Sequence, residues 1–199
     1  MIELISIGLG LFGGIAGIML YNAVTYKASR RQLKTTLAYE IACQALLDQA
    51  TGFEQVDRAL IVKIHNGGKM SQMYSMRFVT VLYEGRTSTT GEAKSNYQSY
   101  PMDDAYKRFM QKLLDDKVYL FQTMSEEYGM LRNAYDRERI KTSRIFKLAR
   151  TKHAIYIASF SSKSPPGEYT AHHNYHDVGL IAEKLKQLHR TAIKAKVLE

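Results

Sequence analysis

A chain of 199 residues has room for one domain and an appendage, and a hydrophobic content of 45% excludes long stretches of disorder. The single cysteine, Cys43, excludes an intrachain disulfide framework and any multi-cysteine zinc site. A formal net charge of +9 points to an anionic partner, either phospholipid head groups or nucleic acid.

From Leu4 to Val24 the chain is apolar except for Ser6 and Asn22. About 20 such residues suffice to cross a hydrocarbon core of roughly 30 Å. A secretory signal peptide would open with basic residues, whereas Glu3 is the only charged side chain before this run. Tyr21 and Tyr26 stand where interfacial aromatics belong, and Lys27, Arg30, Arg31 and Lys34 follow. By the positive-inside rule those charges face the cytoplasm, predicting a single-pass protein of the cell inner membrane with its N-terminus outside. Gly10/Gly14 and Gly13/Gly17 have the spacing that lets two helices approach closely, although glycine is common in membrane helices generally. The predicted division is a transmembrane anchor over 1–26 and a cytoplasmic domain over 27–199. Within the latter, 27–52 reads as a signalling-type helix, 53–173 as a sheet core and 174–199 as a C-terminal helix.

Leu33, Leu37, Ile41 and Ala45 make one apolar stripe, predicting a helix from Ser29 to about Ala50. Strands follow at Ala59–His65 and Met76–Tyr83, with Asn66-Gly67-Gly68 as the turn after the first. Gly85–Tyr100 reads as loop, and Asp103–Asp115 as a helix with Tyr106, Phe109, Met110, Leu113 and Leu114 on one face. A strand at Val118–Gln122 precedes a helix over Glu126–Asp136, which contains Gly129. Ser143–Leu148 and Ala154–Phe160 read as paired strands. In the second, Ile155, Ile157 and Ser159 alternate with Tyr156, Ala158 and Phe160. A helix from Tyr175 to Lys196 closes the chain, with Asn174 and Asp177 as a capping pair. The fold class is α+β: a mainly antiparallel sheet with the first and last helices on one face.

This layout resembles a GAF/PAS-like domain. More narrowly, it is similar to small GAF-like proteins, many of them phage-encoded, whose first strand ends in a His-Asn-Gly-Gly turn. The matching residues are Asp57-Arg58-Ala59-Leu60-Ile61 leading into His65-Asn66-Gly67-Gly68, Glu84 ending strand two, and Arg139-Ile140-Lys141-Thr142-Ser143. The resemblance implies a fold used for small-molecule sensing, dimerisation and protein contact, seldom for catalysis, with no cofactor of its own specified. The polar and acidic signature of cyclic-nucleotide-binding GAF domains is missing. Cys43 lies in the first helix rather than where a bilin is held, so the sequence departs from that type too.

His65, Asn66, Gly67, Gly68 and Glu84 are the candidate ligand-binding residues. Successive N–H groups of the turn can surround an anion, and His65 and Glu84 are expected to meet across the strand pair. The alternative is a tight turn in which His65 satisfies a local backbone group. His172, His173 and His176 form the densest ligand-capable cluster, with a four-residue spacing suited to a metal, yet they equally suit loop and cap. No nucleophile elbow, P-loop or dinucleotide motif occurs. The paired carboxylates Asp103-Asp104, Asp115-Asp116 and Glu126-Glu127 read as helix caps.

Arg132, Arg137, Arg139, Lys141, Arg144, Lys147, Arg150 and Lys152 form the strongest charge feature. They suit nucleic-acid phosphates, the inner leaflet (worth about 1 kcal/mol per residue near an anionic surface) or a solvated face. Three readings follow: a membrane-held, non-catalytic homodimeric module for a small ligand or protein partner; a membrane tether for nucleic acid; and a membrane-bound hydrolase using His65 or the later histidines.

Overall fold

The computed structural model describes residues 26, 29–67, 76–116, 118–127, 129–165 and 174–198. The expected transmembrane anchor over 1–26, apart from Tyr26, lies outside the described residues, as do Gly68, His172 and His173. Among the described residues, no helix is long and apolar enough to cross a membrane. The chain divides into two compact units, Met1–Glu40 and Ile41–Glu199. In the first, residues 29–40 are helical and Leu33 and Leu37 are exposed. The helix of residues 29–51 (α1) contributes its residues 41–51 to the second unit, which carries the sheet.

The sheet unit continues through β1 (Arg58–His65), β2 (Phe78–Arg86), β3 (Tyr100–Pro101), α2 (Asp104–Asp116) and β4 (Val118–Gln122). It ends with α3 (Met130–Arg137), β5 (Thr142–Arg150), β6 (Ala154–Ser162) and α4 (Asn174–Lys194). The strands form one sheet in the order β3-β2-β1-β6-β5-β4, every pair antiparallel. Central β6 is buried along its whole length and β1 along most of it, whereas β2 near the edge alternates in burial. That difference follows from having helices on both faces of the centre.

One face of the sheet carries Leu60, Val62, Ile64, Val79, Val81, Phe121, Ile145, Ile155 and Ile157. Against it pack Tyr106, Phe109, Met110 and Leu113 of α2 and Tyr135 of α3, a helix face with the three-four spacing read from the sequence. The opposite face belongs to residues 41–51 of α1 and to α4. Leu47 of α1 lies directly over Gly85, and buried His189 of α4 stands 5.5 Å from the Tyr156 ring.

Two differences from expectation have local causes. The helix expected over Glu126–Asp136 begins only at Met130. Gly129 passes so close to α2 that a Cβ there would stand 2.6 Å from Ala105 Cβ. The Asp103 carboxylate organises both helices, accepting from Tyr106 N–H through Oδ1 (2.8 Å) and from Met130 N–H through Oδ2. The segment expected as loop up to Tyr100 contributes β3, which pairs Tyr100 and Pro101 with Val79 and Phe78.

Candidate functional site

The α2/α3 face of the sheet turns polar at one end. Arg58 starts β1 on the same side as Leu60 and Val62, and it is 3% exposed. Its Nε lies 3.5 Å from Glu84 Oε1 and its Nη2 3.2 Å from Glu138 Oε2. Nη2 also donates to Gly91 O at 3.0 Å, while Nε makes no hydrogen bond. Glu84 in turn accepts from Ala93 N–H (2.9 Å) and Lys94 N–H (2.8 Å), which ties the 87–99 loop to the sheet. A guanidinium and a carboxylate survive burial because each is paired and hydrogen-bonded.

Next to this cluster is a chain of buried hydroxyls. Tyr135 of α3 meets Ser159 Oγ at 3.0 Å, Ser159 meets Ser143 at 2.7 Å, and Ser143 meets Ser161 at 3.0 Å. Apolar residues enclose a cavity of about 50 Å³ beside it, between the sheet and helices α2 and α3. Arg58, Leu60, Val81, Tyr97, Tyr135 and Ser159 are among its lining residues. Such a space holds a few waters, far below the roughly 300–1,000 Å³ of a drug-sized pocket. Burial pushes the Tyr97 hydroxyl up, with nearby Arg137 opposing the shift, and burial raises that of Tyr106 strongly.

The structure separates the residues that the sequence groups together. His65 and Glu84 do not meet: antiparallel pairing sets His65 opposite Phe78 and Glu84 opposite Leu60, so they lie toward opposite ends of the strand pair. His65 Nδ1 instead accepts from Gly67 N–H at 3.1 Å, and Nε2 lies 2.9 Å from Thr80 Oγ1. Burial, then Lys63, lowers its pKa. Asn66 is buried, and Gly67 turns the chain at a φ of 75°. His176 is exposed in the first turn of α4, and no group of metal-ligating side chains forms among the described residues.

The basic residues share no single face either. Arg144 stacks on Phe146 (4.8 Å) toward α4, whereas Lys147 donates to Leu114 O (3.0 Å) at the end of α2, on the other side of the sheet. Arg132 donates to Glu126 O at 2.8 Å and Arg137 to the Tyr97 hydroxyl at 2.9 Å. Arg139 and Lys141 are exposed before β5, Arg150 and Lys152 at its far end, and a nine-residue strand spans about 30 Å.

No family model matches the chain, and no curated protein matches it. Solved structures do. The GAF3 domain of a Synechocystis sp. PCC6803 protein in its photoproduct state is 14% identical, with a TM-score of 0.56, covering 81% of this chain and 99% of that one. A GAF domain region from Geobacter sulfurreducens PCA is 15% identical with a TM-score of 0.54, covering 80% and 97%. The fold is GAF-like. The phycoerythrobilin-bound GAF domain of a cyanobacterial phytochrome is 13% identical, with a TM-score of 0.53, covering 84% and 92%. A bilin does not fit the described residues: the cavity under α2 and α3 is about 50 Å³, and Cys43, fully buried in α1, is not among its lining.

Sequence reading places Arg58 and Ser143 only within the matching motifs and Ser159 only within a strand, and it gives no site role to these or to Glu138, Tyr97, Tyr135 and Ser161. One signal was available. Ser159 continues the alternation of Ile155 and Ile157, so it had to point into the same core.

Proposed function

We propose that this chain is a non-catalytic GAF-like sensory and interaction module whose ligand site is the cavity beneath α2 and α3. The carrying observation is the buried Arg58, held by Glu84 and Glu138 at the edge of an apolar cavity that also receives the Tyr135–Ser159 hydroxyl pair. Such a lining suits a small, mostly apolar molecule with one hydrogen-bonding group. A larger ligand would have to lift α2 and α3 and the loop that Glu84 ties down, a change that a partner protein could read. Among the described residues, the cavity lining joins no histidine or carboxylate to Ser159, which favours binding over hydrolysis.

The rest of the reading comes from the sequence. Residues 1–26 anchor the chain in the cell inner membrane, and 27–199 form the cytoplasmic domain, with its helix 27–52, sheet core 53–173 and C-terminal helix 174–199. It acts as a homodimer, and the His-Asn-Gly-Gly turn favours a phage origin. A nucleic-acid tether has less support, because the basic residues spread over both sides and both ends of β5.

Native mass spectrometry of the chain purified gently from its own host tests the ligand site. A dimer with a retained small mass is expected, and Val81→Phe, which fills the cavity, should release that mass without unfolding the chain. Absence of any retained mass, or its persistence in Val81→Phe, overturns the assignment.

A further inference from the structure

Edge strand β4 is shorter than the strand it covers. It pairs with β5 from Thr142 to Phe146, whereas β5 runs on to Arg150. Among the described residues, no strand pairs with residues 147–150 on that side. A groove of about 880 Å³ lies along this open edge. One wall is α4 from Ala182 to Lys194, the other is the end of α2 at Leu114 and Asp115, and Val118 closes the end where β4 begins. The groove therefore occupies the place where a longer edge strand would run.

Its chemistry is uneven. Phe146, Leu148 and Ile193 give it apolar ground, and five cations line it against two carboxylates, Asp115 and Glu183. Glu183 and Lys186 Nζ pair at 2.9 Å, which leaves four cations against Asp115. Lys186, Arg190 and Lys194 recur every four residues on α4, which sets them about 6 Å apart along the helix. Same-face side chains of an extended strand repeat at about 6.6 Å, nearly the same interval. Lysines on edge strands usually discourage further pairing. Here the Lys147 ammonium is drawn aside to Leu114 O, on the α2 side.

We propose that this groove receives an extended, acidic segment of a partner protein. The segment adds a strand to β5 at residues 147–150 and sets alternate carboxylates against Lys186, Arg190 and Lys194. Main-chain pairing supplies affinity and the cation ladder supplies selection for acid. The site is separate from the cavity under α2 and α3, and it stands or falls independently of it.

The test uses the full chain and a fluorescent peptide of about ten residues alternating glutamate and valine, read by anisotropy, with hydrogen exchange at Leu148, Ala149 and Arg150. Binding that slows exchange at whichever of those amides face the open edge is expected, since successive N–H groups of a strand point to opposite edges and the others already face β6. N-methylation of the peptide along one edge at a time should weaken binding at least about tenfold for one of the two edges. The exposed double substitution Arg190→Glu with Lys194→Glu should weaken it comparably, its fold checked by the unfolding midpoint. Peptides methylated along either edge that bind as tightly as the parent would overturn strand addition, and this holds whatever the protein variant does. Tighter binding of a single-stranded oligonucleotide of equal charge would assign the groove to nucleic acid instead. No binding of the parent peptide at millimolar concentration would also sink the proposal.

Discussion

Arg58 and Glu84 meet at 3.5 Å, Nε to Oε1, with only 3% and 4% of their side chains exposed. The pair joins β1 to β2 and, through the Ala93 and Lys94 amides, fixes the loop over the cavity. Removing Glu84 strands the Arg58 guanidinium in a low-dielectric site, with Glu138 and the Gly91 carbonyl as its remaining partners. Glu84→Ala should cost about 3–5 kcal/mol in urea unfolding, and the double substitution Arg58→Met with Glu84→Leu should recover part of that loss. A cost below about 1 kcal/mol for Glu84→Ala would mean that the pair is hydrated in solution.

The His65 ring is a brace for its turn. With Nδ1 accepting from Gly67 N–H, the ring proton sits on Nε2 and donates to Thr80 Oγ1. His65→Leu should cost about 1–2 kcal/mol, the weight of one partly buried and one exposed hydrogen bond. It should leave any small mass in the cavity in place, because His65 does not line it. Loss of that mass would restore the turn as a ligand site.

Gly85 permits the contact of α1 with β2. A Cβ at this position would stand 2.8 Å from both the carbonyl carbon and the oxygen of Leu47, backbone atoms that have no rotamer by which to yield. Gly85→Ala is expected to destabilise the fold by about 3 kcal/mol, at the upper end of overpacking costs. A thermal midpoint within a degree or two of the parent chain would show that α1 shifts freely on the sheet.

Stability should fall in acid through His189. Its ring is fully buried between α4 and the sheet, and burial lowers its pKa to about 4, although Nδ1 donating to Leu185 O (2.9 Å) pulls the other way. The unfolded chain binds a proton near pH 6.5 and the folded chain only near 4, so the unfolded state gains as pH falls through that window. The loss is of the order of 3 kcal/mol and is complete below about pH 4. His65, lowered in the same direction, adds to the slope. His189→Gln should flatten the decline measured by unfolding between pH 6.5 and 4, leaving the His65 part and, toward pH 4, that of Glu127, whose carboxyl is lowered by its hydrogen bond to Arg108. An unchanged slope would place the titration elsewhere.

How much of this was legible beforehand differs by element. Strands β1, β4 and β6 and helices α2 and α4 could be placed within about two residues, because burying one face imposes a period of 2 or 3.6 on the apolar positions. The candidate site was less legible. Glu84 was singled out, but with His65 as its partner, since both residues end their strands in sequence. Antiparallel pairing reverses one strand against the other, so the end of β2 lies by the start of β1 and Glu84 finds Arg58 instead.

The sequence by itself determined the elements, the α+β class and the apolar residues of both sheet faces, because these depend on the local period of hydrophobicity. Only the tertiary structure decided which polar groups share an environment. Arg58, Glu84 and Glu138 come from distant stretches, so nothing local in their patterns marks them as one cluster. The converse holds for the run from Arg132 to Lys152, contiguous in the chain yet dispersed in space, because strand alternation sends neighbours to opposite faces and the length of β5 carries its ends apart.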